Sequence, residues 1–234
     1  MRPPFIVVHG RCIAEVWEAA IEAVYRNGME IDTEYGCKAK ESTLMMIVED
    51  PFSEPRVHPG DVYAVVGLGS YLDEVLEGTL DSKVASGKLA YTYHERLFNY
   101  GLEGINQIEA VIEKLRSAPY TRRAQAITWI PSKDLTIDSP PCLQRLWFKV
   151  YDGRLILQSE WRSRDLFRAA HMNMLAMTEL QKMVANKLGL NVGAYFDLSN
   201  SAHIYDKSYN DVERFLKTAY RRRNEKFKVD IFTI

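Results

Sequence analysis

The sequence has few cysteines, almost no net charge and no long apolar run. Its three cysteines, Cys12, Cys37 and Cys142, are unevenly spaced, with no C-x-x-C pair and no histidine cluster that would indicate zinc. An odd number of unpaired thiols is typical of a reducing compartment, so we expect a cytoplasmic protein without a structural metal. The apolar run at residues 4–8 is too short for a secretory signal or a membrane span.

The near balance of charge argues against binding through a whole-molecule electrostatic field. There are 30 lysines and arginines against 31 aspartates and glutamates. Such a chain has no field that concentrates it on a nucleic-acid backbone. We therefore expect neither a nucleic-acid nor a membrane partner, and any anionic ligand must be held by a local cluster of cations.

The hydrophobic pattern predicts one domain of the α+β class. With 234 residues, 47% of them hydrophobic, the chain can bury one sizeable core, and we expect residues 1–234 to form a single domain. A helical period is present at residues 13–26, 104–115, 169–188 and 209–223. Strand patterns are present at residues 5–8, 44–48, 124–130, 143–150, 154–161, 193–198 and 202–205. We expect a mixed, largely antiparallel sheet packed against the long buried helix at 169–188.

Two other segments give local signals of different strength. Asp152-Gly153 lies between the strands at 143–150 and 154–161 and predicts a tight hairpin. Residues 60–87 fit neither a helix nor a strand pattern clearly, so the sequence leaves their structure open.

Cys142 is the first candidate for chemistry. It follows Ser139-Pro140-Pro141 at the start of a predicted strand, and two prolines stiffen the backbone immediately before the thiol. That arrangement would hold the sulfur in one place. A free cysteine is also commonly a small buried apolar residue, and the local sequence leaves both interpretations open.

A cationic segment lies between a predicted strand and a predicted helix. Trp161-Arg162-Ser163-Arg164-Asp165 offers two guanidiniums and a hydroxyl where a helix start would add free N–H groups, a combination suited to phosphate. The alternative is a solvated loop in which Ser163 or Asp165 caps the helix. Arg122 and Arg123 would form a second half of this anion site or lie on the surface.

Three polar residues would suit a nucleoside. Asn173 lies on the apolar stripe of the helix at 169–188, where an unpaired amide is costly, and its donor and acceptor match the edge of uracil. A structural bond to a neighbouring loop is the alternative. His203 and Tyr205 alternate, so they share one face of an extended segment and could hold a sugar hydroxyl or simply pack in the core.

Taken in order, these motifs resemble the signature of the thymidylate synthase family, with matching separations. They are Arg122-Arg123, Pro141-Cys142, Arg162-Ser163-x-Asp165, Asn173 and His203-x-Tyr205. The segments at 91–97 (YTYHERL) and 140–144 (PPCLQ) resemble the archaeal-type branch of the family. The resemblance implies a thymidylate synthase-like fold, an enzyme of dTMP biosynthesis and the substrate dUMP.

The resemblance also implies a role for each motif in substrate binding. Cys142 would be the nucleophile that adds to C6 of dUMP, with a nearby guanidinium that lowers the thiol pKa. Arg162 and Ser163 would bind the phosphate. Arg122 and Arg123 would join from the neighbouring subunit of a homodimer.

The remaining roles concern the base, the sugar and the carbon donor. Asn173 would read uracil, and His203 with Tyr205 would bind the deoxyribose hydroxyl. Asp165 would bind the pterin of a methylene-tetrahydropterin cosubstrate, which is folate or a folate analogue, and no metal is implied. The apolar residues at 231–234 would either fold over the active site or form a plain core strand.

Departures from the bacterial members leave some assignments open. This chain has Pro141-Cys142-Leu143 where they have Pro-Cys-His, and it has no clear counterpart of their glycine-rich arginine loop or folate-site tryptophans. The identity of the pterin therefore stays open. For the catalytic glutamate, Glu95 beside Tyr93 and Arg96 is the candidate, with Glu74 next.

Two other functions compete with dTMP formation. A hydroxymethylase of the same fold, acting on dUMP or dCMP, would let water capture the exocyclic methylene. A nucleotide-binding protein without catalysis would keep the pocket for regulation.

Overall fold

A mixed sheet organises the fold. The computed structural model describes residues 4–223 and 229–233, and nine strands of these ranges form one sheet. The strands are β1 Phe5–Gly10, β2 Met29–Asp32, β3 Lys38–Val48, β4 Gln125–Ile127, β5 Leu143–Tyr151, β6 Arg154–Trp161, β7 Arg164–Asp165, β8 Asn191–Tyr205 and β9 Asp230–Thr233. The main order across the sheet is β4-β5-β6-β8-β3-β1-β9, with β2 on β3 and β7 on β8.

Helices cover one face of this sheet. They are α1 Ile13–Asn27, α2 Val62–Glu77, α3 Asp81–Ala85, α4 Tyr93–Phe98, α5 Gln107–Ser117, α6 Pro131–Asp134, α7 Ala170–Leu188 and α8 Tyr209–Arg223. Within the described ranges, no helix is long and apolar enough to cross a membrane.

The strand directions confirm the predicted α+β class. The pairs β1–β3, β6–β8 and β7–β8 are parallel, and the other pairs are antiparallel. The predicted hairpin joins β5 to β6, where both Asp152 and Gly153 have positive φ, as a tight turn requires.

The long helix α7 is buried, as its apolar pattern predicts. Met174, Met177, Leu180 and Val184 are inaccessible, and the helix packs against β6, β8, α1, α2 and α5. It ends at Gly189, whose left-handed conformation closes the last turn without a Cβ clash. α7 therefore covers the part of the sheet formed by β6 and β8.

The opposite face of the sheet has no covering layer among the described residues. Apolar side chains point from it in register: Met45 lies opposite Leu198, and Ile47 lies opposite Phe196. All four are only partly buried. An apolar sheet face that remains open in one chain is a surface suited to association.

Several predicted boundaries are wrong, each for a local reason. Residues 60–87, whose structure the sequence leaves open, contain α2 and α3. The strand predicted at 124–130 is only β4, because Pro131 begins α6. The segments at 193–198 and 202–205 are one strand, β8, whose pairing with β3 shifts at a bulge near Ser42 and Leu44.

The C-terminal tail is an edge strand. β9 pairs with β1 at the end of the sheet farthest from β4 and β5, and its residues are exposed. It is therefore neither a core strand nor a cover for Cys142 in this structure. Ile234 lies outside the described residues.

A buried ion pair fixes α4 against the segment that leads to β5. The guanidinium of Arg96 makes two bonds of 2.8 Å to Asp134, and its Nη1 also donates to the Thr128 carbonyl at 2.8 Å. Each of the two charged residues is 1% exposed. Neither charge can be hydrated, so each depends on the other.

We expect Asp134→Ala to lower the free energy of unfolding by about 3–5 kcal/mol, because it leaves the Arg96 charge buried without its partner. Urea denaturation measures this loss. The control is Glu113→Ala, which breaks the exposed pair with Arg116 and should cost less than about 1 kcal/mol. Equal losses in the two variants would contradict the importance of burial.

Candidate active site

The backbone around Cys142 is held by Arg162. The Arg162 Nε donates to the Pro141 carbonyl at 3.0 Å, and its Nη2 donates to the Pro140 carbonyl at 2.7 Å. The main-chain N–H of Arg162 also donates to the Cys142 carbonyl at 2.9 Å. These bonds join the end of β6 to the segment that carries the thiol, and they put Nη2 at 3.9 Å from the Cys142 Sγ.

The surroundings of Cys142 favour the protonated form of its thiol. Burial raises its pKa, while the nearby charges of Arg162 and Arg164 act in the opposite direction. The guanidinium of Arg162 therefore lowers the thiol pKa, as expected, but the effect of burial is larger. Any reaction that uses the thiolate must first remove this proton.

Arg162 retains the capacity to bind an anion. A guanidinium carries five N–H donors, of which two are used by the proline carbonyls. The side chain and the adjacent Ser163 are both partly exposed. An anion that reached them would lie close to the Cys142 sulfur.

The second guanidinium of this segment has a different role from the one predicted. Arg164 is buried and forms a bidentate ion pair with Asp197 in β8. Asp197 also accepts a bond of 2.6 Å from Tyr195 and one of 3.1 Å from Ser159. Because the side chain is buried and both of its Nη groups bond to Asp197, Arg164 is not available to a phosphate.

The helix start lies where the period at residues 169–188 predicts it, so its free N–H groups are not next to Ser163. Arg164 and Asp165 form the short strand β7, which pairs with β8, and α7 begins only at Ala170. Asp165 Oδ1 accepts from the N–H groups of Phe167 and Arg168 at 3.1 and 3.0 Å, so it caps the intervening turn.

β7 and β8 bring Asp165, His203 and Tyr205 together. Asp165 lies opposite His203 in the parallel register, and the rings of His203 and Tyr205 are 4.7 Å apart. Burial lowers the pKa of His203, with Asp165 acting against this, and burial raises the pKa of Tyr205 to about 12. Both rings are thus neutral at pH 7 and suited to hydrogen bonding with a neutral hydroxyl.

Asn173 is buried in α7 and has a partner that the sequence did not indicate. Its Nδ2 donates to the hydroxyl of Tyr71 in α2 at 2.6 Å. Within the described part of the chain, its Oδ1 accepts no hydrogen bond. The amide therefore combines a structural bond with remaining hydrogen-bonding capacity.

Sequence reasoning missed two aromatic residues next to the thiol. A thiolate at Cys142 would raise the pKa values of Tyr91 and Tyr93, although burial is the larger cause for each. The hydroxyl of Tyr93 lies 3.4 Å from the N–H of Leu143, the residue after the nucleophile. The alternation of Tyr91 and Tyr93 was the available signal that both rings share one side.

The two glutamate candidates lie in different surroundings. The Glu95 carboxylate is 3.1 Å from Arg96 Nε and lines a small cavity with Asp81 and Asn99. In the described residues it makes no contact with Cys142, and its catalytic role stays a prediction. Glu74 lies one turn from Tyr71 in α2, and burial raises its pKa.

Arg122 and Arg123 are exposed, and their side chains form no ion pair in the described part of the chain. The Arg122 carbonyl accepts a 3.2 Å bond from the indole of Trp147, in β5. Trp147 is paired with Gln158 across β5 and β6, and Gln158 is paired with Phe196 across β6 and β8. Paired residues point to the same face, so Trp147 lies on the open face of the sheet with Phe196. Both arginines are therefore at the edge of that open face.

The raised pKa predicts the pH dependence of Cys142 alkylation. With iodoacetamide, the rate should keep rising with pH beyond the point where an exposed cysteine, with a pKa of about 8.5, levels off. Arg162→Ala should lower the rate at pH 8 by roughly threefold to tenfold, because it removes a charge that favours the thiolate. Arg162→Lys is the charge-retaining control. Peptide mass spectrometry distinguishes Cys142 from Cys12, and an Arg162→Ala rate equal to that of the unmodified sequence would contradict this account.

The protein-family model described as "Thymidylate synthase" matches residues 19–231. A relative from Methanosarcina acetivorans is 31% identical over 212 residues, which cover 90% of this chain and 94% of the relative. For a relative from Methanothermobacter thermautotrophicus the identity is 29% over 220 residues, with 88% and 96% covered. For one from Methanocaldococcus jannaschii it is 30% over 214 residues, with 87% and 92% covered. Each relative carries the name "Putative thymidylate synthase". Because these matches extend over most of the sequence, the chain belongs to the thymidylate synthase family.

Proposed function

We propose that this protein is a thymidylate synthase-type methyltransferase that converts dUMP to dTMP. The observation that carries the proposal is the Arg162 guanidinium, which is bonded to both proline carbonyls before Cys142 and lies 3.9 Å from its sulfur. This geometry couples an anion-binding group to a nucleophile. A nucleotide whose phosphate lies on Arg162 and Ser163 would have its base within reach of the thiol.

Cys142 acts as the nucleophile in this proposal. Its thiolate adds to C6 of the uracil ring, and the electron pair of the C5–C6 double bond moves toward C5 and the C4 carbonyl oxygen. C5 then forms the new carbon–carbon bond. C5 then loses its proton as the bond between the transferred carbon and the pterin nitrogen breaks. Hydride addition to that carbon expels the sulfur from C6, which restores the C5–C6 double bond and releases Cys142.

The other predicted residues hold the nucleotide. Asn173 keeps an amide oxygen and one N–H for the base, which suits the adjacent N3–H and C4 carbonyl of uracil. His203 and Tyr205 are neutral and lie on one side of β8, where they bind the deoxyribose hydroxyl.

The residues present fit a methylene-tetrahydropterin cosubstrate. Asp165 uses Oδ1 for the turn before α7, and in the described residues its Oδ2 accepts no hydrogen bond, so a carboxylate oxygen remains for the N–H groups of a pterin. When bound, the cosubstrate supplies the one-carbon unit and the hydride that reduces it to a methyl group. The cosubstrate is folate or a folate analogue.

We also propose that residues 1–234 form one catalytic domain in the cytoplasm. One core cluster connects α1, the sheet, α5 and α7 in the described residues, which supports a single domain. The three cysteines are free, which fits a reducing compartment.

A homodimer would complete the phosphate site. The open apolar face around Met45, Ile47, Phe196 and Leu198 supports association through the sheet, with Arg122 and Arg123 at its edge. Two-fold symmetry would direct these arginines toward the partner and the partner's arginines toward this chain.

Covalent trapping tests the proposed chemistry. With 5-fluoro-dUMP and a methylene-pterin, we expect a stable adduct on Cys142. The normal reaction requires loss of a proton from C5, and the fluorine in its place cannot be lost as a cation. Intact-protein mass spectrometry measures the adduct, and Cys142→Ala is the control. Nucleotide binding without any adduct would instead support a binding protein without catalysis.

Subunit complementation tests the shared site. Cys142→Ala and Arg123→Ala should each be inactive as homodimers, whereas an equal mixture should recover about a quarter of the original activity, since half of the dimers then carry one intact site. Lys149→Ala replaces Arg123→Ala in the control mixture. Failure to recover activity after confirmed subunit exchange would contradict a contribution of Arg123 across the interface.

A further inference from the structure

Tyr71 contacts the amide that would read the base, although no motif in the sequence marks it. Its hydroxyl accepts the N–H of Asn173 at 2.6 Å. The ring packs against the core from α2, and α2 packs against α7. Arg164, Glu74 and Tyr91 are close enough to affect the ionisation of Tyr71. Tyr71 thus connects the base-reading residue to the surrounding polar groups.

The bond determines which groups of Asn173 remain for a ligand. A primary amide has two N–H donors and one carbonyl acceptor. With one N–H committed to Tyr71, the second N–H and the carbonyl remain. Uracil presents a C4 carbonyl beside N3–H, so its carbonyl can accept the second N–H of Asn173 and its N3–H can donate to the Asn173 carbonyl. Cytosine presents an amino group beside an unprotonated N3, so it would require the amide to turn by half a revolution.

Such a turn would bring the Asn173 carbonyl against the Tyr71 oxygen. That contact is favourable only if the phenol turns its own proton toward Asn173. Glu74 lies three residues farther along α2, lines one cavity with Tyr71 and acts electrostatically on its hydroxyl. A carboxylate there favours keeping the phenol proton on the Glu74 side, which agrees with the observed bond, in which the Tyr71 oxygen accepts the Asn173 N–H.

We propose that Tyr71 is a positioning residue that holds the Asn173 amide in the orientation that accepts uracil and rejects cytosine. This inference rests on the proposed function, since it requires Asn173 to bind the base. It adds a specificity determinant that touches the base-reading residue without touching the nucleotide itself.

The test is the affinity for dUMP and for dCMP, measured by calorimetry on the full chain. Tyr71→Phe removes the hydroxyl and keeps the ring. We expect the preference for dUMP over dCMP to fall about tenfold, in line with the loss of one buried hydrogen bond to a polar group. Tyr63→Phe is the matched control on the same helix, because Tyr63 is exposed and should leave the preference unchanged.

Two further variants separate positioning from a general structural effect. Glu74→Gln keeps the fold of α2 and should lower the preference by a smaller factor. In an Asn173→Ala background, Tyr71→Phe should have no additional effect, because the two side chains would act as one unit. A melting temperature for each variant verifies that it is folded.

The outcomes distinguish the inference from the function on which it rests. Loss of base preference in folded Tyr71→Phe, with no additional effect in the Asn173→Ala background, supports the inference. An unchanged preference in Tyr71→Phe overturns it while leaving dUMP as substrate. If the unmodified protein fails to bind dUMP, the proposed function and the inference both fall.

Discussion

The hydrogen bonds from Arg162 to the carbonyls of Pro140 and Pro141 are the constraint on which the site depends. The two prolines remove backbone freedom and backbone donors from the segment before Cys142, and the guanidinium then attaches that segment to the end of β6. One side chain thereby orients the nucleophile, supplies a positive charge near the sulfur and keeps N–H groups for an anion. Without this side chain, the Cys142 segment would keep its backbone bond to the Arg162 N–H, but the carbonyls of both prolines would lose their donor.

Two buried ion pairs support this arrangement without belonging to the proposed nucleotide-binding residues. Arg164 and Asp197 join β7 to β8, so they fix the turn that carries Asp165 and the strand that carries His203 and Tyr205. Arg96 and Asp134 hold α4, and with it Tyr93, against the segment leading to Cys142. Both pairs exclude water, so each partner is costly to remove alone.

The sequence predicts those elements that are determined by residues close together in the chain. The period of α7 and the Asp152-Gly153 hairpin require no knowledge of distant residues. α2 was left open because Gly67 and Gly69 lower helix propensity and exposed apolar residues such as Val66 obscure its period. The sequence does not separate Arg164 from Arg162 in the cationic segment, because Asp197, the partner of Arg164, is adjacent only in the folded chain. Tyr71 escaped notice for the same reason, since its bond to Asn173 joins two helices that are far apart in the chain.

The most direct measurement is the mass of the nucleotide formed when the protein is incubated with dUMP and a panel of methylene-pterins, with Cys142→Ala as control. The account predicts a methylated product, dTMP, that forms with at least one pterin and is absent from the control. A hydroxymethylated product would place the protein with the hydroxymethylases of this fold. A product that persists in Cys142→Ala would contradict the central role of the Cys142 thiol.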